Sequence, residues 1–519
     1  MSRWPLVAIT LATLLAHAPG LVNGYVWDDP DIVLGAYEGD RPRSWSELLL
    51  APDANASDPH APYYRPLTRV SFAIDRALWG DAPAPRHAEN IALHAAAALL
   101  AFLALRRLVD PRVALATALL FAVHPVQAGT VNQLAARNTE LAAALALGAL
   151  LAHLSWRERG GRWRLVACGA CYFLGLVSKE TAAPIAIVAA FLDWAAPPST
   201  VRPWKTRLAG LAPFAVALAT YLPLRVLALG VLAPPADRAA PLATRLLQQL
   251  WIVPQYLATA AWPAGLDAAR RVPATALSAP WLVPAWLAIL AAIAWILWRG
   301  TSAARLGLLL FAASYLPVSG LVAIPSSPIA DRHLYLAALG LWLIAADRLV
   351  ALASAPKLRR VALPASVALL LVLAGLSARR ATDFRDDLTF WRSVLVVDPD
   401  YSLALVCYGN ALHERGDLAG AEDAWTRAVE ANPQDGTAWN QLGNLAFRRG
   451  DLPGAERAFA SAAAFRPDLF DHFYNHALTL ETLGRREEAR AEFTRARAIV
   501  PPHRAALAAE IDARLQAPR

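Results

Sequence analysis

The sequence has few charged residues for its length. Only 17% of its 519 residues are Asp, Glu, Lys or Arg, whereas 57% are hydrophobic and the mean hydropathy is +0.36. This composition excludes a soluble multi-domain enzyme and predicts a polytopic membrane protein. Cysteine is also scarce, and three residues exclude a disulfide scaffold. Cys168 and Cys171 form a CxxC pair in an apolar run without a partner His or Cys, which favours packing over redox or metal chemistry.

The charge is divided unequally along the chain. Residues 382–519 carry 16 Arg against 21 acidic residues, a net −5, while residues 1–381 carry a net +13. The basic excess lies mostly in short loops between apolar runs, where it sets membrane orientation and does not indicate nucleic-acid binding. We therefore expect a membrane domain over residues 1–381 and a soluble domain over residues 382–519.

Eleven apolar stretches are long enough for a transmembrane helix of about 20 residues. They are residues 4–22, 88–106, 112–126, 139–155, 163–178, 180–195, 208–231, 281–298, 305–323, 334–352 and 361–378. They are nearly free of ionisable residues mid-span, which counts against a polysaccharide transporter or polymerase. Residues 242–265 suit an interfacial or re-entrant helix better than a span. Residues 4–22 could also be a cleaved signal peptide, which leaves the rest of the topology unchanged.

Basic residues cluster in every second loop between these stretches. The five clusters are Arg106, Arg107 and Arg112; Arg157, Arg159, Arg162 and Arg164; Arg202, Lys205 and Arg207; Arg299 and Arg305; and Lys357, Arg359 and Arg360. The positive-inside rule places these loops and the N-terminus in the cytoplasm. The first loop, residues 23–87, and everything after residue 378 then face outward.

The C-terminal part repeats with a period of 34 residues. Four columns share it: Gly416, Gly450 and Gly484; Ala421, Ala455 and Ala489; Trp391, Trp425, Phe459 and Phe493; Pro399, Pro433, Pro467 and Pro501. The unit Trp439-x2-Leu442-Gly443 resembles the tetratricopeptide repeat. We predict a half-repeat (383–399), three repeats (400–433, 434–467, 468–501) and a capping helix (503–516) in an α-solenoid that binds a peptide segment or serves as a spacer or assembly contact.

The first outward loop begins with two adjacent carboxylates, Asp28 and Asp29. Two neighbouring carboxylates at a membrane surface repel each other and are costly to desolvate, so at least one should have a perturbed pKa or a cationic partner. The pair is a candidate general base, although Asp-Pro-Asp at 29–31 is also ordinary turn or helix-cap chemistry. Asp29 precedes Pro30, which biases it toward an extended conformation facing the loop or Arg65.

Seven short motifs occur in a fixed order along the first domain. They are Trp27-Asp28-Asp29, Tyr64-Arg65-Pro66-Leu67-Thr68, the run from His87 to His94, His124-Pro125-Val126, Arg137-x2-Glu140, Ser178-Lys179-Glu180 and Asp331-Arg332-x-Leu334-Tyr335. Followed by the repeats, this series resembles the transmembrane and tetratricopeptide repeat-containing O-mannosyltransferases of the GT-C class. The Arg-rich, nearly lysine-free composition indicates a bacterial relative.

The resemblance implies a polyprenyl-phosphate sugar donor and attack by an acceptor nucleophile at the anomeric carbon. The catalytic candidates are Asp28 and Asp29, with Asp28 favoured as the base. The donor-phosphate candidates are Arg65, Lys179, Arg225 and Arg332, although Arg332 could only anchor a span end and Lys179 could pair with Glu180 or Glu140. Supporting candidates are His124, Arg137, Glu140, Glu180, His333 and Tyr335. We predict no metal or other cofactor, although Asp28 and Asp29 could hold a divalent ion as some GT-C members do.

The predicted fold class is all-α, a GT-C-type membrane domain of about eleven spans followed by the solenoid. The predicted function is transfer of a sugar, mannose by the resemblance, to an acceptor hydroxyl such as a Ser or Thr of a protein. The expected partners are the lipid-linked donor, a protein bound by the repeats, and the membrane, without nucleic acid. A bacterial inner membrane is the expected location, with the first loop and the repeats in the periplasm. The alternative is a non-catalytic membrane scaffold whose repeats recruit envelope proteins.

Overall fold

The computed structural model of the chain is almost entirely helical, so the predicted all-α class is confirmed. It describes residues 3–34, 37–38, 41–42, 44–50, 53–55, 58–194, 203–232, 240–273, 275–321, 329–501 and 504–516. The chain divides into two compact units, Met1–Asp386 and Asp387–Arg519. This division lies five residues beyond the boundary expected from the sequence.

Each of the eleven apolar stretches contains a helix in the first unit. These helices are Trp4–His17, Pro83–Leu105, Pro111–Val123, Arg137–Arg159, Arg162–Leu176, Ile185–Trp194, Trp204–Leu229, Leu282–Arg299, Ser302–Tyr315, Ala337–Ser354 and Arg359–Ala381. The remaining α-helices are Asp29–Leu34, Trp45–Leu50, Pro66–Trp79, Ala128–Asn132 and Leu242–Ala261. Short 3-10 turns cover Ala18–Val22, Pro125–Gln127, Leu134–Ala136, Glu180–Ala182, Ala276–Ser278, Leu316–Val318, Asp331–Leu334 and Thr382–Phe384.

Among the described residues, seven helices are long and apolar enough to cross a membrane. The number rises to eight if Pro111–Val123 and Pro125–Asn132, which meet at a bend of 51°, form one broken span. The chain is therefore an integral membrane protein. Arg162–Leu176 and Ile185–Trp194 have 15 and 10 residues, fewer than the ~20 that a span requires, so the count of eleven stays a prediction.

Side chains cap the N-termini of two of these helices. The Asp110 carboxylate, just before Pro111, accepts a hydrogen bond from Arg112 N–H (2.7 Å), and the Thr301 hydroxyl accepts one from Ala304 N–H (3.0 Å).

At the crossing of Ser302–Tyr315 with Ala337–Ser354, a Cβ on Gly307 would lie 2.5 Å from the backbone oxygen of Gly340. Only glycine permits so close an approach of the two backbones.

Extended structure in the described residues is confined to short antiparallel pairings. Within the first loop, Tyr37–Glu38 pairs with Arg41–Pro42, and Asp53–Asn55 pairs with Asp58–Tyr63. An isolated bridge joins Arg270 to Ile329. These pairings do not alter the helical class of the protein.

The second unit is a series of helices joined by short turns. They are Asp387–Val397, Ser402–Glu414, Leu418–Ala431, Gly436–Arg448, Leu452–Phe465, Phe470–Thr482, Arg486–Ile499 and Ala505–Gln516. Gly416, Gly450 and Gly484 lie between successive helices with φ of 82°, 80° and 77°. These left-handed turns favour glycine, which explains the glycine column of the 34-residue period. Residue 503, the expected start of the last helix, lies outside the described residues.

Candidate active site

The turn that carries the acidic pair is anchored to the end of the last apolar helix. Gly24 N–H donates to the backbone oxygen of Arg385 (2.9 Å), and Asn23 Nδ2 donates to that of Ala381 (2.9 Å). Trp27 has a φ of 57°, in the left-handed region that residues other than glycine rarely adopt. Surrounding contacts must enforce such a conformation, so the loop presents its carboxylates from a constrained turn.

Asp28 is partly exposed and is held by a side chain from another part of the chain. Its Oδ1 accepts a hydrogen bond from Gln133 Nε2 at 2.7 Å. Burial raises the pKa of Asp28 above its ordinary value, while the charge of Arg332 and the hydrogen bond from Gln133 oppose the rise. The carboxylate therefore has the balance of burial and compensating charge that suits a proton acceptor.

Asp29 is fully buried and contacts the backbone instead. Its Oδ1 accepts from Ala135 N–H (2.7 Å) and its Oδ2 from Val26 N–H (3.1 Å). Burial, and then the charge of Asp28, raise the pKa of Asp29 well above its usual range. The expected extended conformation was wrong, because Asp29 begins the helix Asp29–Leu34. Its oxygens bind Val26 N–H in the loop and Ala135 N–H in the 3-10 turn Leu134–Ala136.

Lys179 and Arg332 bring positive charge to the same region. Lys179 Nζ donates to Thr139 Oγ1 (2.7 Å), and burial, with the like charges of Arg65 and Arg332, lowers the pKa of Lys179 well below its usual range. The Arg332 guanidinium lies 5.4 Å from the centre of the Trp27 ring, and its Nη1 donates to the backbone oxygen of Ala268 (2.9 Å). Protein contacts on both sides therefore hold Arg332 in place.

A second group of charges surrounds Glu180. Its Oε1 lies 3.9 Å from Arg65 Nη2. Burial would raise the pKa of Glu180, but the charges of Arg65 and Arg225 outweigh burial and hold the pKa below its usual value. Arg225 donates from Nη1 to the Tyr221 hydroxyl (3.0 Å) and from Nε to the backbone oxygen of Leu232 (2.9 Å). One carboxylate is thus flanked by two arginines, which leaves a net positive charge.

Arg137 and Glu140 lie in the interior of the helical unit. Arg137 forms an ion pair with buried Asp75, donates from Nε to Asn90 Oδ1 (2.8 Å) and lies 3.2 Å from Glu89 Oε2. These contacts tie Arg137–Arg159 to Pro66–Trp79 and Pro83–Leu105. Glu140 is fully buried, and neither of its carboxylate oxygens has a hydrogen-bond partner within the part of the chain that the structure describes.

The remaining supporting candidates join the ends of helices. His124 Nδ1 accepts from Val126 N–H (3.3 Å), and the imidazole packs against Trp342 with ring centres 4.8 Å apart. His333 Nδ1 lies 3.1 Å from the Tyr256 hydroxyl, and burial, with the charges of Arg332 and Lys179, lowers the pKa of His333 well below its usual range.

Tyr335 is buried, and its hydroxyl lies 2.7 Å from His94 Nδ1. The fold therefore places the predicted residues in two sets. Charge interactions connect one set, which contains Asp28, Asp29, Arg65, Lys179, Glu180, Arg225, Arg332 and His333. Arg137, His124 and Tyr335 instead make their contacts in the surrounding helices, and Glu140 is buried there.

Sequence reasoning missed two polar residues that hold the site. Gln133 binds Asp28, and Thr139 binds Lys179. Both are buried, with exposed fractions of 4% for each residue. Both lie in the buried stretch 132–140, whose polar residues were a signal because buried polar side chains require partners, but spacing alone could not identify those partners.

The donor set of the acidic pair does not fit a divalent cation. Both oxygens of Asp29 bind backbone N–H groups, Oδ1 of Asp28 binds Gln133, and the charge of Arg332 acts on Asp28. Over the described ranges, no group of three or more His, Cys, Asp or Glu residues could hold a metal ion.

Comparison with protein families identifies two segments of the chain. Residues 78–226 match the dolichyl-phosphate-mannose-protein mannosyltransferase family, and residues 372–435 and 408–469 match the tetratricopeptide repeat. The first match contains Arg137, Glu140, Lys179, Glu180 and Arg225. Asp28, Arg65 and Arg332 lie outside it.

Two Drosophila melanogaster proteins are similar to part of the chain. Protein O-mannosyl-transferase Tmtc1 is 31% identical over 187 residues, which are 34% of this chain and 21% of that protein. Protein O-mannosyl-transferase Tmtc2 is 33% identical over 183 residues, 33% of this chain and 19% of that protein. The alignments thus span about one fifth of the length of these relatives.

Two solved structures show limited similarity to this chain. The crystal structure of the Archaeoglobus fulgidus oligosaccharyltransferase in the apo form aligns with a TM-score of 0.41 and 14% identity, covering 73% of this chain and 56% of that chain. That of ArnT from Cupriavidus metallidurans bound to undecaprenyl phosphate aligns with a TM-score of 0.39 and 14% identity, covering 97% and 82%. The family matches and the two relatives confirm the resemblance of this chain to the transmembrane and tetratricopeptide repeat-containing O-mannosyltransferases, since a segment similar to mannosyltransferases precedes a segment similar to tetratricopeptide repeats.

Proposed function

We propose that this protein is a membrane glycosyltransferase that moves mannose from a polyprenyl-phosphate donor to a hydroxyl group, Ser or Thr, of a protein. The matched family and the two relatives support the sugar, the phosphate-linked donor and the protein acceptor, because their names state mannosyl transfer to protein. The reaction takes place on the outward face of a bacterial inner membrane. The N-terminus is cytoplasmic, and the repeats bind the acceptor or a partner protein in the periplasm.

The observation that carries this proposal is the proximity of one carboxylate to several cations. Asp28 interacts electrostatically with Arg332 and Lys179, and Lys179 interacts with Arg65. Cleavage of a glycosyl phosphate requires a base at the acceptor hydroxyl and positive charge at the departing phosphate. The residues that the fold brings together from distant parts of the chain support both roles.

Asp28 acts as the general base in this mechanism. Its carboxylate accepts the proton of the acceptor hydroxyl as the oxygen attacks the anomeric carbon of the sugar. The bond between that carbon and the phosphate oxygen breaks, and its electron pair leaves with polyprenyl phosphate. The products are the glycosylated acceptor, polyprenyl phosphate and protonated Asp28, so atoms and charge balance.

The cations bind the donor and stabilise the leaving group. Arg65 and Arg225 flank Glu180, and Arg332 lies beside Trp27 close to the acidic pair. Negative charge grows on the phosphate as the bond breaks, and arginines that are already held in position stabilise it without further reorganisation. The contacts of Arg332 with Trp27 and Ala268 provide such preorganisation.

The test is transfer of labelled mannose by the purified full-length protein in lipid nanodiscs. The donor is polyprenyl-phosphate mannose, and the acceptors are Ser- and Thr-containing peptides from outward-facing proteins. We expect label on the peptide hydroxyl groups from the wild-type protein and none from a protein in which both Asp28 and Arg332 are replaced by alanine. Failure of a correctly folded wild-type preparation to bind or cleave the donor would favour the non-catalytic scaffold.

A further inference from the structure

Gln133 occupies an unusual position next to the proposed base. It precedes the 3-10 turn Leu134–Ala136 and is 4% exposed, and its Nε2 lies 2.7 Å from Asp28 Oδ1. An ionised carboxylate can only accept hydrogen bonds, so the amide must present its nitrogen rather than its oxygen. A hydrogen bond from an amide N–H is stronger to a carboxylate than to a neutral carboxyl group, so the contact favours the ionised form of Asp28, which is the form that accepts a proton.

The same short segment also holds the neighbouring carboxylate. Ala135 N–H donates to Asp29 Oδ1 at 2.7 Å, and Leu134 is buried in an apolar cluster with Val33 and Phe72. The segment 133–135 therefore contacts both members of the acidic pair through different groups. Packing of Leu134 holds the segment in place, and its two hydrogen bonds hold the carboxylates of Asp28 and Asp29 relative to it.

We propose that Gln133 is a positioning residue that orients Asp28 for proton abstraction and keeps it ionised. This inference rests on the proposed function. The amide holds Oδ1, so that Oδ2 is directed to the acceptor hydroxyl. Gln133 does not contact the reacting atoms and acts only through Asp28.

Other charges near Asp28 influence its protonation as well. Arg332, from the turn Asp331–Leu334, and Lys179, which precedes the turn Glu180–Ala182, favour the ionised form, whereas Asp29 and Asp31 on the same segment oppose it. Substitution of Gln133 leaves all four groups in place. A change in the pH dependence of catalysis would therefore report the loss of this one hydrogen bond.

The test uses Gln133→Met and Gln133→Glu in the full-length protein in nanodiscs, with polyprenyl-phosphate mannose and an acceptor peptide. Transfer requires ionised Asp28, so the rate increases with pH through the pKa of this group. Removing a hydrogen bond to the charged form raises that pKa, and we expect Gln133→Met to move the acidic limb of the turnover profile upward by about one to two pH units. Gln133→Glu should move it further, because it adds a second carboxylate next to Asp28.

Gln127→Met is the matched control. Gln127 is also a fully buried glutamine, but its Nε2 donates to the backbone oxygen of Tyr335 (3.2 Å) rather than to a carboxylate. We expect this variant to lose stability comparable with that of Gln133→Met while the midpoint of its pH profile remains unchanged. The contrast separates an effect on Asp28 from the general cost of removing a buried amide.

Several outcomes would overturn the inference. The inference is contradicted if both Gln133 variants keep the wild-type turnover and the wild-type midpoint of the pH profile, while Asp28→Asn inactivates the protein. That outcome leaves the proposed function intact. If the near-isosteric Gln133→Glu and Gln133→Met both misfold while Gln127→Met folds, Gln133 has a purely structural role. Normal turnover in Asp28→Asn would instead refute the catalytic assignment of the base itself.

Discussion

Two adjacent aspartates have different surroundings in this protein. Asp28 is partly exposed and binds an amide side chain, while Asp29 is fully buried and binds two backbone N–H groups. A carboxylate whose two oxygens both accept hydrogen bonds from backbone N–H groups cannot also accept a proton from a substrate without disturbing the turn. Burial and hydrogen bonding therefore favour Asp28 as the base and Asp29 as the anchor of the loop.

The first prediction concerns these two roles. Asp28→Asn keeps the size of the side chain but cannot accept the proton, so we expect turnover to fall by about 10²- to 10⁴-fold. Donor affinity should change little, because cations hold the phosphate. Turnover and donor affinity of purified Asp28→Asn and Asp29→Asn provide the measurement, and near-normal turnover in Asp28→Asn with collapse in Asp29→Asn would reverse the assignment.

The second prediction concerns the buried ion pair of Arg137 with Asp75, whose side chains are 1% and 5% exposed. Arg137→Met would leave the buried charge of Asp75 with the longer pairing to Arg86 Nε at 3.9 Å, and we expect a loss of up to roughly 3–5 kcal/mol in the free energy of unfolding. Denaturation of the detergent-solubilised protein measures it. In the control Arg107→Met, the more exposed pair with Glu158 is broken, and the loss should be at most about 1 kcal/mol. Equal losses would contradict the structural role of Arg137.

At the scale of elements, close contact between helices explains the small residues of the repeats. A Cβ on Gly443 would lie 2.7 Å from Cε1 of Phe459, and a Cβ on Gly409 would lie 2.5 Å from Nε1 of Trp425. Each aromatic ring thus fills the space that a glycine leaves on the preceding helix. Gly409 and Gly443, which lie 34 residues apart and are distinct from the turn glycines, form one packing contact with the aromatic column.

The third prediction follows from this contact. Gly443→Leu would force Gly436–Arg448 away from Leu452–Phe465, because even its Cβ would lie 2.7 Å from the Phe459 ring, and overpacking of this kind costs about 1–3 kcal/mol. We expect faster cleavage of the repeats by a protease in the full-length chain. Arg448→Leu places the same side chain at an exposed position of the same helix and should leave the cleavage rate near that of the wild type. An equal increase in both variants would show that the close contact is unimportant.

At the scale of the whole molecule, topology decides on which side of the membrane Asp28 lies. Basic residues precede the last apolar helix, Arg359–Ala381, and the acidic repeats follow it. The fourth prediction is that a reporter active only outside the cytoplasm is active when fused after Ala381 and silent when fused after Arg360. The reverse pattern would place the acidic loop on the cytoplasmic side and refute an outward-facing enzyme.

The fifth prediction concerns the contribution of the repeats to acceptor use. If they bind the acceptor polypeptide and raise its local concentration, deletion of residues 400–519 should reduce transfer to protein at least tenfold more than hydrolysis of the donor by water. Both rates can be measured in one preparation of the truncated protein. Equal reductions would indicate a folding role, and unchanged transfer to protein would separate the repeats from acceptor choice.

The sequence alone was sufficient for the helical class, the position of the apolar helices and the repeats. These features depend on local properties, namely apolar runs longer than a helix needs and the columns of Gly, Ala, aromatic residues and Pro. The ordered motifs identified the family resemblance and the two groups of charged candidates. The number of spans was harder to predict, because a break such as the 51° bend after Val123 divides one apolar run into two short helices.

Only the tertiary structure decided how the candidate residues are connected. It brought Gln133 to Asp28 across 105 positions and Thr139 to Lys179 across 40 positions, and it turned Asp29 into the protein interior. Neither spacing nor composition encodes such contacts, since they arise from the packing of helices that are distant in sequence. The residue types of the site were therefore predictable from the sequence, whereas the partners that determine their orientation and ionisation depend on the three-dimensional arrangement of the helices.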